Sequence, residues 1–360
     1  MVRTYNVALI PGDGIGVEVI DAAWSVLSAA ADRFGFVLNG IELDWSCNYY
    51  LKYGRMMPED GIEQLRAFDA ILLGAVGWPL SVPDSVSLHG LLLPIRKAFD
   101  LYANVRPHRL LAGVPGPLRA RDFDILCIRE NTEGEYSGAG GRLHQGTQEE
   151  VAVETSIFTR RGVERILRFG FEQARQRRKK LASVTKSNAQ KHSMVFWDEI
   201  TEAVSADYPD VSVTRYHVDA IAARFIMQPE TLDVVVASNL FGDILTDIGA
   251  AIQGGLGFAA SANLNPVSRG PSMFEPVHGS APDLAGRGKA NPLATLWSSA
   301  LMLEHLGEHL GSRAILDAME KVTAAGEVRT PDLGGSATTN DVANAVIAQM
   351  QVSRSGYLRP

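Results

Sequence analysis

Two aspartates spaced four residues apart are the side chains of this sequence that most directly indicate chemistry. Asp243 and Asp247 follow the apolar run at 232–237. A strand that feeds a helix puts positions i and i+4 on one helix face, so the two carboxylates should stand side by side. No lysine or arginine lies nearby in the sequence to neutralise them. Oxygen ligands on a rigid helix favour Mg²⁺ or Mn²⁺, whereas the chain lacks the cysteine and histidine cluster typical of zinc sites.

The competing interpretation of this pair is a solvated acidic helix face. We favour the metal site because the helix is otherwise apolar and should be largely buried, with Leu240, Phe241, Ile244, Leu245 and Ile248 as its apolar residues. Asp219, at the end of another strand-like run, is a candidate third carboxylate for the cation.

Three arginines, Arg96, Arg106 and Arg129, occur in short segments that should be rigid. Guanidinium suits bidentate recognition of carboxylates, and an acidic protein needs a local positive cluster to hold a dianionic substrate. For each of them taken alone, a surface arginine or a structural ion pair is the favoured interpretation, and the sequence does not show that the three converge.

Lys186 follows a strand-like run, and Tyr136 lies in the polar segment 131–137. A lysine held near a metal ion becomes a usable proton acceptor, and a tyrosine can donate a proton to an enolate carbon. Neither residue type is specific for such a role without further support.

A glycine-rich turn, Gly12-Asp-Gly-Ile-Gly16, follows the first predicted strand. Its spacing is G-x-G-x-G, and no acidic residue closes a second strand some 20 residues on, so it differs from the dinucleotide fingerprint G-x-G-x-x-G. The alternative is a tight turn that brings backbone close to a ligand or a neighbouring element. The proline- and glycine-punctuated loop at 274–283, followed by Asn291, is dense in polar groups and is typical of a functional loop.

Composition indicates an ordinary globular protein of two domains. The 360 residues are 46% apolar and 21% charged, with a net charge of -7. This charge argues against nucleic acid as a partner. Cys47 and Cys127 form no CxxC, which fits a reducing cytoplasm. Every apolar run is shorter than the roughly 18 residues that a membrane span needs, so we expect neither a membrane segment nor membrane binding.

Short apolar runs alternate with helical stretches along the chain, which predicts α/β architecture. Between about residues 136 and 159 the sequence becomes polar and glycine-rich and then strand-like. We interpret this excursion, at about 137–158, as an arm that pairs with another subunit.

These residues resemble the β-decarboxylating dehydrogenases of 2-hydroxy acids, which include isopropylmalate, isocitrate, homoisocitrate and D-malate/tartrate dehydrogenases. The resemblance covers nearly the whole chain, and the stretches that carry it are 10–16, Arg96 with 104–107, 129–136, 186–188, 218–220, 239–247, 275–283 and 330–335.

The resemblance implies a role for each candidate residue. Arg96, Arg106 and Arg129 would bind the substrate carboxylates, and Asp219, Asp243 and Asp247 would hold Mg²⁺ or Mn²⁺. In the family the equivalents of Lys186 and Asp219 reach the site from the partner subunit, which implies a homodimer with shared active sites. Lys186 would then be the base in hydroxyl oxidation and Tyr136 the acid that protonates the enolate. A requirement for K⁺ is left open.

The resemblance also places the cofactor on the loop from 275 to 291 rather than in a Rossmann cleft. The implied cofactor-binding residues are His278, Gly279, Ser280, Ala281, Pro282, Asp283 and Asn291. NADP-using relatives have a lysine and a tyrosine where this chain has Asp283 and Leu284, so we expect NAD⁺. The alternative, NADP⁺, needs a basic group from elsewhere.

The implied fold is that of the isocitrate/isopropylmalate dehydrogenases, with two α/β domains, and is not a Rossmann fold. One domain, for the cofactor, is built from residues 1–101 and 256–360. The other, at 102–255, carries the substrate and metal ligands, the dimer interface and the arm.

Substrate choice in the family is set by the helix that leads to the first arginine, here residues 85–96. Isocitrate enzymes place serine and asparagine there, and isopropylmalate enzymes place a glutamate; this chain has His89 near the glutamate position and no asparagine. The segment most resembles the D-malate/tartrate dehydrogenases, and His89 is a candidate substrate-binding residue. The alternatives are a 3-isopropylmalate dehydrogenase, an NAD isocitrate dehydrogenase, and a non-catalytic regulatory subunit, although such subunits usually lack part of the lysine, tyrosine and aspartate set.

Overall fold

The computed structural model describes residues 2–119, 122–268 and 270–352. The strands are β1 (Thr4–Gly12), β2 (Val37–Glu42), β3 (Ala70–Ala75), β4 (Ala103–Arg109), β5 (Asp124–Glu130), β6 (Gly134–Leu143), β7 (Val151–Ile157), β8 (Lys180–Thr185), β9 (Ser212–His217), β10 (Val234–Ala237), β11 (Ala260–Leu264) and β12 (Ser272–Pro276). The helices are α1 (Gly16–Phe34), α2 (Cys47–Tyr53), α3 (Gly61–Leu65), α4 (Asp84–Ser87), α5 (Leu93–Ala98), α6 (Arg160–Arg175), α7 (Ser193–Ser205), α8 (Val218–Met227), α9 (Asn239–Ile252), α10 (Leu293–His305), α11 (His309–Ala325) and α12 (Thr339–Val352). The predicted α/β order is confirmed.

The first of two compact units contains the described residues of Met1–Leu101, Leu110–Pro117 and Gln253–Pro360. Its strands lie in the order β2-β1-β3-β12-β11. All neighbours are parallel except β11 and β12. Apolar residues of β1 and β3 pack with Trp45, Leu91 and Ile95, which are almost completely buried. Burial of each such side chain contributes about 1.5–3 kcal/mol, so this core holds the segment before Arg96 against the sheet.

The second unit contains the described residues of Tyr102–Arg109 and Leu118–Ile252. Its strands lie in the order β4-β5-β10-β8-β9, with β4 antiparallel to β5 and the other neighbours parallel. Parallel strands all end at the same edge of a sheet, where α/β proteins usually bind ligands. Lys186 follows β8, Asp219 follows β9 and α9 follows β10, so the topology brings three predicted site segments to this edge.

Strands β6 and β7 form a separate antiparallel ribbon in the second unit. Every residue of β7 is exposed, including Val151, Val153 and Ile157. A two-stranded ribbon is marginally stable by itself and exposes unpaired strand edges. Pairing of this arm with another subunit stays a prediction.

Among the described residues, no helix is both long and apolar enough to cross a membrane.

Candidate active site

Asp243 and Asp247 project from α9, which begins where β10 ends. The expectation that the apolar residues of this helix are largely buried holds for Phe241 and Leu245, which are 7% and 0% exposed, but is wrong for Ile244, which is 51% exposed.

Asp243 is paired with arginine side chains that are distant from it in the sequence. Asp243 Oδ1 accepts a short hydrogen bond from Arg129 Nη1 and lies 3.6 Å from Arg106 Nη1. Both arginines are only 5% exposed. Two guanidiniums therefore converge on one carboxylate of α9.

Neutral partners fix the orientation of both arginines. Arg106 donates from Nε to Asn104 Oδ1 at 2.8 Å and from Nη1 to Thr246 Oγ1 at 2.6 Å. Arg129 donates from Nε to Asn239 Oδ1 at 2.9 Å. Because strands β4 and β5 are antiparallel neighbours, with Asn104 opposite Arg129, the two guanidiniums lie close together. The sequence alone does not show that these two arginines converge.

Tyr136 joins this group. Its Oη lies 3.2 Å from Asp243 Oδ2, and the Arg129 guanidinium lies 5.6 Å from its ring centroid. Partial burial, and then the negative charge of Asp243, raise the pKa of the Tyr136 phenol above its ordinary value. The phenol is therefore protonated at neutral pH and can donate a proton.

Three glutamates in the segment 130–135 accept hydrogen bonds from backbone N–H groups. No pattern in the sequence indicates these roles. Glu130 accepts the backbone N–H groups of residues 132 and 133, and burial raises the pKa of its carboxyl group. Glu133 accepts from the backbone and hydroxyl of Thr159, at the start of α6. Glu135 accepts from Ser238 Oγ at 2.8 Å and from the Leu240 backbone N–H at 3.1 Å. The Glu135 contacts fix β6 to the start of α9.

Lys186 and Asp219 form a separate pair at the ends of β8 and β9. Lys186 Nζ lies 2.5 Å from Asp219 Oδ1, with the aspartate side chain 68% exposed. The hydrogen bond from Lys186 lowers the pKa of Asp219, which keeps the carboxylate ionised at neutral pH.

The carboxylates of Asp219, Asp243 and Asp247 are chemically suited to a divalent cation, but the three do not form one cluster among the described residues. Among the described residues, no three histidine, cysteine or acidic side chains form a group that could hold a metal ion. Asp247 has no hydrogen bond or ion pair within the described residues, and burial followed by the charge of Asp243 raises its pKa. A hard cation would relieve both effects, so Asp243 and Asp247 are suitable oxygen ligands.

In the first unit, Arg96 is buried and its Nη2 lies 2.6 Å from Glu275 Oε1. Asn263 Nδ2 donates to the same oxygen at 2.8 Å. One turn of π-helix, Leu88–Leu92, precedes Arg96, and His89 is exposed on this turn. Such turns often mark functional segments.

The glycine-rich turn contacts protein backbone rather than forming a dinucleotide fingerprint. The Ile15 N–H donates to the Ser280 carbonyl at 2.8 Å. Gly14 has φ of 61°, and a Cβ atom there would lie 2.0 Å from the same carbonyl oxygen. Only glycine fits this close approach. The turn is therefore the kind that brings backbone against a neighbouring element, here the loop at 275–291.

This loop carries polar groups that fit a nucleotide ligand. His278 Nδ1 donates to the Gly279 carbonyl, which leaves Nε2 as an acceptor in the neutral ring. The Nε2 atom is buried without a partner in the described residues, and burial lowers the pKa of His278. Asn291 donates from Nδ2 to Asp332 Oδ2 at 3.0 Å. Asp283 is exposed.

The remaining predicted cofactor residues lie between these groups. Gly279 is exposed, Ser280 is buried, and Ala281 and Pro282 are half-buried. Ala281 has a positive φ of 40°. An alanine in the left-handed region is strained, as is common in loops that contact ligands.

Comparisons with known proteins show which family this chain resembles. The family model described as isocitrate/isopropylmalate dehydrogenase matches residues 6–346. The chain is 54% identical over 356 residues to the D-malate dehydrogenase [decarboxylating] of Escherichia coli strain K12, covering 96% of this chain and 98% of that protein. It is 50% identical over 351 residues to a probable tartrate dehydrogenase/decarboxylase of Bacillus subtilis strain 168, covering 97% and 99%.

A solved structure shares the fold. The crystal structure of isocitrate dehydrogenase from Methylococcus capsulatus superposes with a TM-score of 0.88 at 35% identity, covering 96% of this chain and 99% of that chain. The predicted fold is thereby confirmed. The family generally uses a divalent metal ion and NAD(P). From its sequence, its fold and its arginine, tyrosine and aspartate cluster, this chain belongs to the isocitrate/isopropylmalate dehydrogenase family.

Proposed function

We propose that this protein is an NAD-dependent, Mg²⁺- or Mn²⁺-dependent dehydrogenase that oxidises the 2-hydroxyl group of D-malate or tartrate and converts D-malate to pyruvate and CO₂. The observation that carries the proposal is the convergence of Arg106, Arg129, Tyr136 and Asp243 within one unit. The names of the two relatives with 54% and 50% identity support the choice of substrate.

Each reacting group has a proposed role in the chemistry. Arg96, Arg106 and Arg129 bind substrate carboxylates. Asp219, Asp243 and Asp247 would hold the metal ion, which as a Lewis acid would supply stabilisation of negative charge on a substrate oxygen. Lys186 accepts the proton of the C2 hydroxyl group. Bound NAD⁺ would supply the acceptor for the C2 hydride, and D-malate would then become oxaloacetate. The bond to the 4-carboxylate then breaks, CO₂ leaves, and its electron pair forms the enolate of pyruvate.

Tyr136 completes the reaction by protonating C3 of that enolate. The position of Tyr136 supports this role, because its phenol is protonated at neutral pH and lies 3.2 Å from Asp243, a proposed metal ligand. The buried arginines support recognition of a small dianion, since their forks are already held in place by neutral partners.

The remaining sequence-based expectations stay predictions: His89 at the substrate, the cofactor loop residues, a homodimer, a cytoplasmic location and no nucleic acid or membrane partner.

The test is NADH formation by the purified protein with Mn²⁺ and NAD⁺, with D-malate, L-tartrate, meso-tartrate, 3-isopropylmalate and isocitrate compared side by side. We expect the highest kcat/KM with D-malate or a tartrate. A preference for 3-isopropylmalate or isocitrate would keep the chemistry and refute the substrate assignment around His89.

The Arg129→Lys variant keeps the positive charge but loses the bidentate guanidinium, and should lower kcat/KM by about tenfold or more. The exposed Arg66→Lys serves as the control.

A further inference from the structure

The first turn of α1 contacts both ends of the loop at 275–291, and the proposed function gives this contact no role. At one end, the Ile15 N–H binds the Ser280 carbonyl at 2.8 Å, and Gly14 allows the close approach. At the other end, Glu18 of α1 accepts the backbone N–H groups of Gly288, at 3.0 Å from Oε2, and Ala290, at 2.8 Å from Oε1.

A third element closes the contact around Glu18. The Thr339 hydroxyl, at the start of α12, lies 3.1 Å from Glu18 Oε1 and donates to the Ala290 carbonyl at 2.7 Å. The Thr339 backbone N–H also binds the Gly288 carbonyl at 2.9 Å. The half-buried Glu18 carboxylate thus connects α1, the end of the loop and α12 through charge-assisted hydrogen bonds.

An apolar seam runs along the same contact. Ile15 and Val19 of the α1 region form a small buried cluster with Ala290, and Ala281 packs against it. Ile15, Val19 and Ala290 are 5%, 0% and 2% exposed. Both ends of the loop are therefore held by packing as well as by hydrogen bonds.

The segment between these ends depends on outside support. Gly286 and Gly288 have φ of 71° and 62°, and no regular secondary structure spans 277–292. Glycine loses more conformational freedom on ordering than other residues, so such a segment is costly to fix. Glu18 fixes two backbone N–H groups directly before Asn291, whose side chain is bound to Asp332.

We propose that Glu18 is a positioning residue for the nicotinamide dinucleotide, which it helps to bind by fixing residues 288–291 in the binding conformation without touching the ligand. This inference rests on the proposed function, because that function assigns the cofactor to the loop at 275–291. It predicts that loss of the Glu18 carboxylate weakens binding of the dinucleotide and leaves binding of the hydroxy acid unchanged.

The test compares Glu18→Gln with wild type in the full-length protein loaded with Mn²⁺. Glutamine keeps the size but has one acceptor oxygen, so one backbone N–H faces an amide NH₂ group. We expect KM for NAD⁺, and Kd for NAD⁺ measured by titration calorimetry without substrate, to rise together by about tenfold, the effect of roughly one hydrogen bond to a charged group. KM for the hydroxy acid and kcat at saturating NAD⁺ should change less than about twofold.

The matched control is Asp21→Asn, an exposed carboxylate on the same helix, which should equal wild type. Equal NAD⁺ affinity in the Glu18→Gln and Asp21→Asn variants would overturn the inference, as would a loss of kcat with unchanged NAD⁺ affinity. If Glu18→Gln does not fold, Glu18→Asp decides by the same comparison, since it keeps the carboxylate but shortens its reach toward the two backbone N–H groups by one methylene.

A failure of the proposed function can be distinguished from a failure of the inference about Glu18. Wild type that binds NAD⁺ but oxidises none of the acids refutes the function, while the Kd comparison still decides the role of Glu18. If wild type prefers NADP⁺, the same comparison is made with NADP⁺. Wild type that binds neither dinucleotide overturns the inference as well.

Discussion

Lys186 Nζ lies 2.5 Å from Asp219 Oδ1 at the carboxyl ends of two neighbouring parallel strands. The two residues are 33 positions apart in the sequence, and the pairing of β8 with β9 brings them together. The contact holds the lysine amine beside an ionised carboxylate, whose pKa the lysine lowers. The pair is therefore a preformed unit of one proposed base and one proposed metal ligand.

Replacement of Lys186 by alanine should lower kcat with D-malate by about 10²–10⁴-fold, the usual contribution of a general base. Metal-dependent binding of substrate should persist, because the arginines and the carboxylates are unchanged. Stopped-flow measurement of NADH formation and calorimetric titration of D-malate would test both parts. Lys180→Ala, on the exposed start of the same strand, is the control. Undiminished turnover in Lys186→Ala would refute the base assignment.

Shared active sites can be tested by mixing two inactive variants, Lys186→Ala and Asp243→Asn. If Lys186 of one subunit serves the site that contains Asp243 of the other, each mixed dimer has one intact site. After unfolding and refolding of an equal mixture, about a quarter of wild-type activity should return, since half of the dimers are mixed and each has one of two sites. Each variant refolded alone is the control. If the mixture is as inactive as the separate variants, both residues act within one chain.

Asp247 should make the metal-free protein less stable as the pH rises. Burial and the charge of Asp243 raise its pKa in the folded protein above the ordinary value of 3.8. Its ionisation therefore favours the unfolded state, and the free energy of unfolding falls from pH near 3.8 through the raised pKa and then stays lower. Asp247→Asn removes this fall and should stabilise the metal-free protein at neutral pH by less than about 1 kcal/mol, because the side chain is partly exposed.

Urea unfolding in EDTA at acidic and neutral pH measures this difference, with the exposed Asp21→Asn as control. Addition of Mn²⁺ at neutral pH should make wild type more stable than Asp247→Asn, since wild type gains metal-binding energy that the variant lacks. A variant that gains as much stability from Mn²⁺ as wild type would show that Asp247 is not a metal ligand.

Asp283 should decide between the two dinucleotides. Its exposed carboxylate suits hydrogen bonds from a ribose 2′-hydroxyl and repels a 2′-phosphate. Asp283→Asn should lower the ratio of kcat/KM for NAD⁺ to that for NADP⁺ by about tenfold, roughly one charge-assisted contact. Initial rates with each cofactor at saturating D-malate provide the measurement. An unchanged ratio would mean that another group selects the cofactor.

The local sequence was sufficient to predict much of this molecule. The α/β order follows from the alternation of short apolar runs with helical periodicity, which depends only on near neighbours. The i, i+4 spacing of Asp243 and Asp247 likewise puts both on one helix. The glycines at 12 and 14 indicate a turn because few other residues adopt a positive φ there.

Other features of the sequence were ambiguous. For each arginine taken alone, a surface position or a structural ion pair was favoured over a ligand site. Ile244 was expected to be buried and is 51% exposed, because apolar content does not show which side of a helix lacks a partner.

The sequence by itself determined the elements, the family and the residue types available for chemistry. The tertiary structure decided which side chains meet: Arg129 with Asp243 across 114 positions, Lys186 with Asp219, and Glu18 with Ala290 across 272. Strand order and register set these encounters, and both depend on the packing of the whole sheet rather than on local spacing. Partners that far apart leave no periodic pattern in a single sequence, so only the folded structure reveals them.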